Sequence, residues 1–474
     1  MQVHAGAAAG ASPTTLNVQA LIDQNRMSPY QYVVLFLCFT ILALDGFDTA
    51  AIGYVAPALV AKWGVARSAL APVLSAALFG LAFGAMAAGP SADRFGRKPV
   101  IMVSTLGFAV FSLATAYTDS IQTMAVLRFL TGLGLGAAMP NAVTLMAELA
   151  PARHRSFIVN AVYVGFPLGA AAGGFVAAGI IPHYGWESVF LLGGILPLVF
   201  LPVMARVLPE SVAYMVARQY PAAAVASVLE RISGKDLRHV TTFVPGDGGK
   251  TAAGKAANGK SALAQNLSGR YLLPTLMLWT VYFMGLLIFY LLTSWMPLMM
   301  KDVGFSIEKA AMLTALFPLG GGVGTLVGGW LMDRLNPSRV LAFTYLIAAV
   351  LLVAVGQSLS GGNVVAFAIL VFAAGTMVTG AQASLPALAA PLYPTQARAT
   401  GIAWMLGVGR FGGILGSIVG GVLLGMQLPF SVILAILAVP ALVAMTALIV
   451  LAARIRPAPA ITAPNTSSQS IEFQ

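Results

Sequence analysis

A single cysteine, Cys38, stands among 474 residues. Structural disulfides and cysteine-ligated metals are thereby excluded. Histidine is almost as scarce: His4, His154, His183 and His239 lie far apart without ligand spacing. No nucleophile–base constellation accompanies them, so neither catalysis nor a bound cofactor is expected. Charge is scarcest in proportion. Only 9% of residues are charged and 59% are hydrophobic, whereas soluble domains carry about 25% charged residues. Such a chain crosses a bilayer many times. Residues 1–30 are fairly polar and are expected to remain as an uncleaved cytoplasmic segment. Leu16, Leu21 and Ile22 within it suggest a short amphipathic helix lying on the membrane surface.

What is present in abundance is long apolar runs. Hydropathy predicts twelve spans, at about 31–57, 69–91, 99–117, 121–147, 156–181, 187–207, 272–299, 309–332, 339–356, 363–390, 398–424 and 429–453. The expected organisation is a six-helix half at 31–207, a cytoplasmic loop at 208–270, a second six-helix half at 271–454 and a cytoplasmic tail at 455–474. Residues 245–259, rich in Gly, Ala and Lys, read as a flexible linker. With the N-terminus inside, Lys62, Arg67, Lys301 and Lys309 fall outside, and Arg128 and Arg410 fall within spans. The remaining 20 of the 26 Lys and Arg lie on the cytoplasmic side, as the positive-inside rule asks. The net charge of +11 is thus explained by topology, and nucleic-acid binding is not needed.

Two motifs recur in register. Gly89-Pro-Ser-Ala-Asp93-Arg94 follows span 2, and Gly329-Trp-Leu-Met-Asp333-Arg334 follows span 8, 240 residues on. Pro151-Ala-Arg-His-Arg155 follows span 4, and Pro394-Thr-Gln-Ala-Arg398 follows span 10, 243 residues on. The chain is therefore predicted to be an all-α membrane protein of two pseudo-symmetric six-helix halves. Duplicated halves of this kind hold a substrate near the midplane between them.

The most telling stretch is Leu44-Asp45-Gly46-Phe47-Asp48, inside the apolar run from Tyr32 to Pro57. Each carboxylate there costs roughly 2.5–3.5 kcal/mol to insert, so both should face the protein interior or a wet cavity. A purely structural polar cluster is the competing reading. At a rise of about 1.5 Å per residue, Asp48 lies roughly 14 Å below the outer end of span 1 and Arg128 roughly 12 Å below that of span 4. Opposite charges at one depth predict an Asp48–Arg128 pair. Asp45, a turn deeper and without a second arginine in its half, is the better candidate for taking up a proton. Arg410 lies near the midplane of span 11 among Gly407, Gly409, Gly412, Gly413 and Gly416, which suggests an open helix surface around it. A guanidinium with no acid in its own half to neutralise it reads as an anion site; a carbonyl-bound structural arginine is the alternative. Phe47, Tyr163, Phe166, Tyr282, Phe283, Tyr290 and Trp404 could line a ring-binding cavity, although packing or lipid contact is the plainer role for each alone. The glycine runs Gly132-Leu-Gly134-Leu-Gly136, Gly165 to Gly174 and Gly320 to Gly329 are expected to let helices approach closely.

These residues resemble the major facilitator superfamily. Gly89 through Lys98 is similar to its loop motif between spans 2 and 3, and Arg128-Phe-Leu-Thr-Gly132-Leu-Gly134 to its span 4 motif. Pro209-Glu210-Ser211 also occurs in its sugar and organic-ion branches. Asp45-Gly46-Phe47-Asp48 and the stretch from Leu392 through Arg398 and Gly401 to Arg410 resemble the aromatic acid:proton symporters within it. The resemblance implies a proton-coupled symporter importing an aromatic carboxylate, such as a benzoate, hydroxybenzoate or phenylpropanoate, by alternating access in an inner membrane, functional as a monomer. It implies that Asp45 and Asp48 are needed for transport, with Arg128 beside them. It also implies an inner gate latch of Asp93, Arg94 and Arg97, in which Asp93 meets the start of span 11. Asp333 and Arg334 are the second copy, weakened where Leu335-Asn336-Pro337 replaces the Gly-Arg-Lys portion. Glu148, taken as a loop residue, and Arg155 and Arg398 join the same gate. Rival readings are a proton-coupled sugar or aliphatic acid porter, an efflux antiporter suggested by Gly165-Phe-Pro167-Leu-Gly169, and a non-transporting receptor. The acidic motif that sugar porters carry after span 12 is replaced here by Arg454-Ile-Arg456-Pro457.

Overall fold

The computed structural model describes residues 15–244, 262–332, 334–359, 363–393 and 397–454. Among them, 12 helical segments are long and apolar enough to cross a membrane. The first half comprises α2 (Pro29–Trp63), α3 (Ala71–Phe95), α4 (Arg97–Thr115), α5 (Ile121–Leu149), the pair α6 (Arg155–Tyr163) and α7 (Gly165–Tyr184), and α8 (Glu187–Val207). It is preceded by α1 (Val18–Gln24) and followed by α9 (Val212–Ala217), α10 (Ala222–Ser233) and α11 (Ala262–Asn266). The second half comprises α12 (Leu272–Asp302), α13 (Ile307–Met332), α14 (Pro337–Ser358), α15 (Val364–Ala389), α16 (Arg398–Gly425) and α17 (Phe430–Arg454). The predicted single span at 156–181 is thus two helices, interrupted at Val164.

Local chemistry sets the ends of α2. Ser28 and Gln31 form a reciprocal capping box, Pro29 stands in the first turn, and Gly64 closes the helix in the left-handed conformation at φ 63°. The halves repeat one packing plan: α3 on α5 as α13 on α15, α2 on α7 as α12 on α16, α4 on α8 as α14 on α17. Glycines make the seams. A Cβ on Gly80, Gly132 or Gly136 would fall on a backbone carbonyl of the facing helix in the α3–α5 pair, and Gly320, Gly324 and Gly375 do the same between α13 and α15.

Residues 208–270 were expected as a plain loop, yet they carry structure. Thr15–Asn17 pairs in parallel with Thr242–Val244, and Val18, Leu21 and Ile22 of α1 pack with Val225, Leu229 and Phe243. The apolar face of α1 is therefore covered by protein rather than by lipid, a long-range pairing that its own periodicity does not reveal.

An even number of spans puts both ends of the bundle on one face, the near face. On the far face the halves are tightly joined. Gly53 sits against the Thr293 carbonyl and Gly421 against Ala71. Arg67 of the turn before α3 pairs with Asp302 of α12 at 2.7 Å. A central cavity lies between the halves, lined by residues of both.

Candidate functional site

The four residues from Asp45 to Asp48 turn in four directions. Asp48 points into its own half. Its carboxylate pairs with Arg128 at 2.8 Å and accepts the Ser112 hydroxyl at 2.7 Å, while Arg128 also donates to the Asp48 carbonyl oxygen at 2.9 Å. The guanidinium lies over the Phe190 ring. Both partners are wholly buried, and the predicted pair is formed. Phe47 was expected to line the cavity and does not. Lying two residues, some 200°, round the helix from Asp45, it is 5% exposed and packs inside the first half against Gly173 and Gly193. Gly46 faces α7 so closely that a Cβ would strike the Phe166 carbonyl. This contact sets Phe166 in the cavity wall.

Asp45 faces the centre. One oxygen accepts the Thr49 hydroxyl at 3.1 Å, and the other is buried with no donor. The charge that acts on it most is that of Arg410, ahead of Asp48. The acid within the field of Arg410 thus comes from the opposite half, a partner that inspection of the second half alone does not offer.

The central cavity holds about 190 Å³, below the roughly 300 Å³ at which drug-sized pockets begin, and suits a one-ring solute. Tyr163, Phe166, Tyr282, Tyr290 and Arg410 line it as predicted. Phe166 and Phe289 face each other across the halves at 6.1 Å between ring centres. Arg410 is half-buried and makes no hydrogen bond or ion pair with the described residues. Three tyrosines, Tyr163, Tyr282 and Tyr290, lie within its field. Of the glycines flanking it, Gly407 is open as expected, but Gly409, Gly412, Gly413 and Gly416 are covered. Gly409 and Gly413 are covered by the Tyr282 and Tyr290 rings, and Gly412 by the Phe283 carbonyl. These glycines let α12 lie against α16 and bring the tyrosines beside Arg410.

Two other aromatic expectations are corrected. Phe283 lies outside the cavity because its backbone is the part that meets α16. Trp404 is 45% exposed and stacks on Trp279 at 6.1 Å; six residues from Arg410, it lies on another face of the helix. Sequence reasoning missed Gln382, Thr379 and Thr325, which add to the polar lining. Gln382, an amide within an apolar span, was the available signal.

At the near face the latch residues are not joined across the halves. Asp93 and Arg94 are exposed, and the Asp93 side chain meets neither α16 nor any other described partner. Its expected contact with the start of span 11 is not made among the described residues, and residues 394–396, just before that start, lie outside them. Instead, Arg218 donates to the Asp93 and Arg94 carbonyls at 3.0 and 3.3 Å, capping the end of α3. Arg97 pairs with Glu148 at 2.7 Å. Glu148 sits in the last turn of α5 rather than in a loop, and the Ser211 hydroxyl also donates to it. Glu210, quoted only within a motif, accepts the backbone N–H of Arg97 at 2.8 Å and of Lys98 at 3.3 Å, an acid on the positive end of α4. Arg155 reaches only the Ala150 carbonyl, at 3.4 Å. Arg334 lies over the Trp330 ring at 4.2 Å, Arg398 opens α16 with its Nε unpartnered, and Asp333 is outside the described residues.

Comparison with known proteins gives a consistent set. The sequence model of the Major Facilitator Superfamily matches residues 38–311 and 278–471. The 4-hydroxybenzoate transporter PcaK of Pseudomonas aeruginosa is 48% identical, over 92% of this chain and 95% of its own length. A gallate transporter of Pseudomonas putida is 45% identical over 95% and 98%. The 3-(3-hydroxy-phenyl)propionate transporter of Escherichia coli is 33% identical over 82% and 86%. Among solved structures, the D-xylose-proton symporter superposes with a TM-score of 0.67 at 17% identity, covering 88% of this chain and 97% of that one. The inward open xylose transporter XylE from E. coli gives 0.68 at 16%, covering 88% and 95%. At those identities the likeness concerns the fold.

Proposed function

The chain belongs to the Major Facilitator Superfamily, and from that premise we propose that it imports small aromatic carboxylates across an inner membrane in symport with protons. The observation that carries this reading is Arg410, a cation without a protein counter-charge in contact, in a one-ring cavity walled by aromatic side chains. A carboxylate leaving water needs such a partner, and a guanidinium offers it two parallel donors. Relatives named for 4-hydroxybenzoate, gallate and hydroxyphenylpropionate support the substrate class.

Asp45 supplies the coupling in this reading. Its bare oxygen lies within the field of Arg410, so a proton on Asp45 and an anion on Arg410 stabilise each other. Carrying one anion inward against 100 mV costs about 2.3 kcal/mol, which one accompanying proton cancels. Asp48 and Arg128 hold α2 to its half, and the two halves rock about the cavity. The proposed orientation puts the near face in the cytoplasm, where the basic residues are concentrated. One chain supplies both walls, so the monomer is the proposed unit. A sugar would ask for more polar partners than this largely apolar lining offers.

The test is binding of benzoate and benzamide to the purified protein, alongside uptake of labelled aromatic acids into proteoliposomes with an imposed pH gradient. Arg410→Ala should cost carboxylate binding about 2–5 kcal/mol, as for a broken buried charge pair. Arg410→Lys should not restore it, since an ammonium lacks the planar fork. Benzamide should bind weakly to both. Equal losses for acid and amide would make Arg410 structural.

A further inference from the structure

The second-half wall of the cavity carries polar groups that the carboxylate does not use. Thr379 and Gln382 stand one turn apart on α15, and both line the cavity. Gln382 is fixed from behind. Its Oε1 accepts the Tyr345 hydroxyl at 3.2 Å, and its Nε2 donates to the Tyr282 carbonyl at 3.1 Å. Gly285 makes the room, since a Cβ there would collide with the Gln382 amide and the Tyr345 hydroxyl. An amide has two donor hydrogens and two acceptor lone pairs, so one of each remains for a ligand.

Thr379 departs from its neighbours. Thr325, Thr376 and Ser384 all return their hydroxyls to the carbonyl four residues back, each at 2.9 Å. The Thr379 hydroxyl is enclosed with no partner among the described residues. Its side chain is pressed against Gly321, where a Cβ would stand 2.6 Å from Thr379 Cβ, so that close packing between α13 and α15 fixes its place. Enclosed polar groups are almost always satisfied; the Thr379 hydroxyl lies in the α13–α15 seam beside the cavity that its residue lines, and a turn about χ1 would bring it to a ligand there.

Resting on the aromatic-carboxylate reading, we propose that Thr379 and Gln382 form a subsite for a hydroxyl group on the ring of the carried acid. A phenolic hydroxyl both donates and accepts, and the pair offers it a donor and an acceptor. A carboxylate is an anion, so the charged fork of Arg410 competes better for it than the neutral donors of this wall. The preferred cargo is therefore a ring-hydroxylated aromatic acid, and an unsubstituted ring leaves the Thr379 hydroxyl unpaired.

The experiment measures dissociation constants of benzoate and its three monohydroxy derivatives on the purified full chain. The readout is the ratio of benzoate to the tightest hydroxybenzoate, in which a uniform loss of binding cancels. Wild type should favour one hydroxybenzoate by on the order of tenfold, the worth of one recovered hydrogen bond. Thr379→Val keeps the shape without the hydroxyl and should bring the ratio close to one, while Thr379→Ser should keep it. Gln382→Met is the second variant and should also lower the ratio. A wild-type ratio near one, or a ratio preserved in both Thr379→Val and Gln382→Met, overturns the subsite while the carboxylate reading stands. Failure of wild type to bind any of the four acids overturns the carboxylate reading, and the subsite with it.

Discussion

Two carboxylates one turn apart on α2 have different capacities because their surroundings differ. Asp48 is ion-paired with Arg128 and accepts the Ser112 hydroxyl, so protonating it would strand a buried guanidinium. Asp45 has one donor, Thr49, and one bare oxygen. The two asparagine substitutions should therefore fail in different ways. Asp48→Asn leaves Arg128 buried without its counter-charge, at a cost of about 3–5 kcal/mol. A lower thermal midpoint and poorer yield of the purified protein are expected. Asp45→Asn removes a proton carrier without stranding an ion. It should fold normally and exchange substrate across the membrane, yet fail to accumulate it under a pH gradient. Measuring accumulation and counterflow in the same proteoliposomes separates the two functions, and accumulation at the wild-type rate would remove Asp45 from the coupling path.

The helices and their seams were largely legible before any coordinates, and for a physical reason. Long apolar runs, unpaired charges and glycine stripes each carry a cost that only one arrangement relieves. The Asp48–Arg128 pair followed from depth and charge alone. Gly132 belongs to the same class: its Cβ would fall on the Ala77 carbonyl across the α3–α5 seam, whereas a Cβ on Gly179 meets nothing within 4 Å. Gly132→Ala should thus lower the thermal midpoint by forcing two backbones apart, an overpacking cost of about 1–3 kcal/mol, and Gly179→Ala should leave it nearly unchanged. Similar midpoints for the two would refute the close seam. What sequence could not supply was rotation and neutral polarity. Phe47 and Trp404 face away from the cavity because of where they fall round their helices, an angle that composition does not encode. Thr379 and Gln382 cost too little in an apolar run to stand out as the charges did. The parallel pairing of residues 15–17 with 242–244 joins segments too distant for either to announce the other.

For the whole molecule, the far face is closed by contacts between the halves, and transport by rocking halves requires it to open. The far face is not held by its ion pair. Arg67 and Asp302 have side chains 45% and 25% exposed, and exposed pairs contribute about 0–1 kcal/mol. Packing holds it: Gly53 on Thr293, Gly421 on Ala71, and Gly425 beside Ser68. The last contact offers a direct test. A Cβ on Gly425 would stand 3.6 Å from Ser68 Cβ, within the roughly 3.5–4.5 Å that a disulfide spans. The single native thiol, Cys38, is buried and can be replaced by alanine to give a clean background. In that background Ser68→Cys with Gly425→Cys should cross-link on mild oxidation and tie α16 to the turn before α3. Uptake should then stop, and a reductant should restore it, while binding of aromatic acids from the near face persists in the cross-linked protein. Uptake that continues with the bond fully formed would mean that this seam stays shut during transport, and the path of the substrate would have to leave the cavity elsewhere.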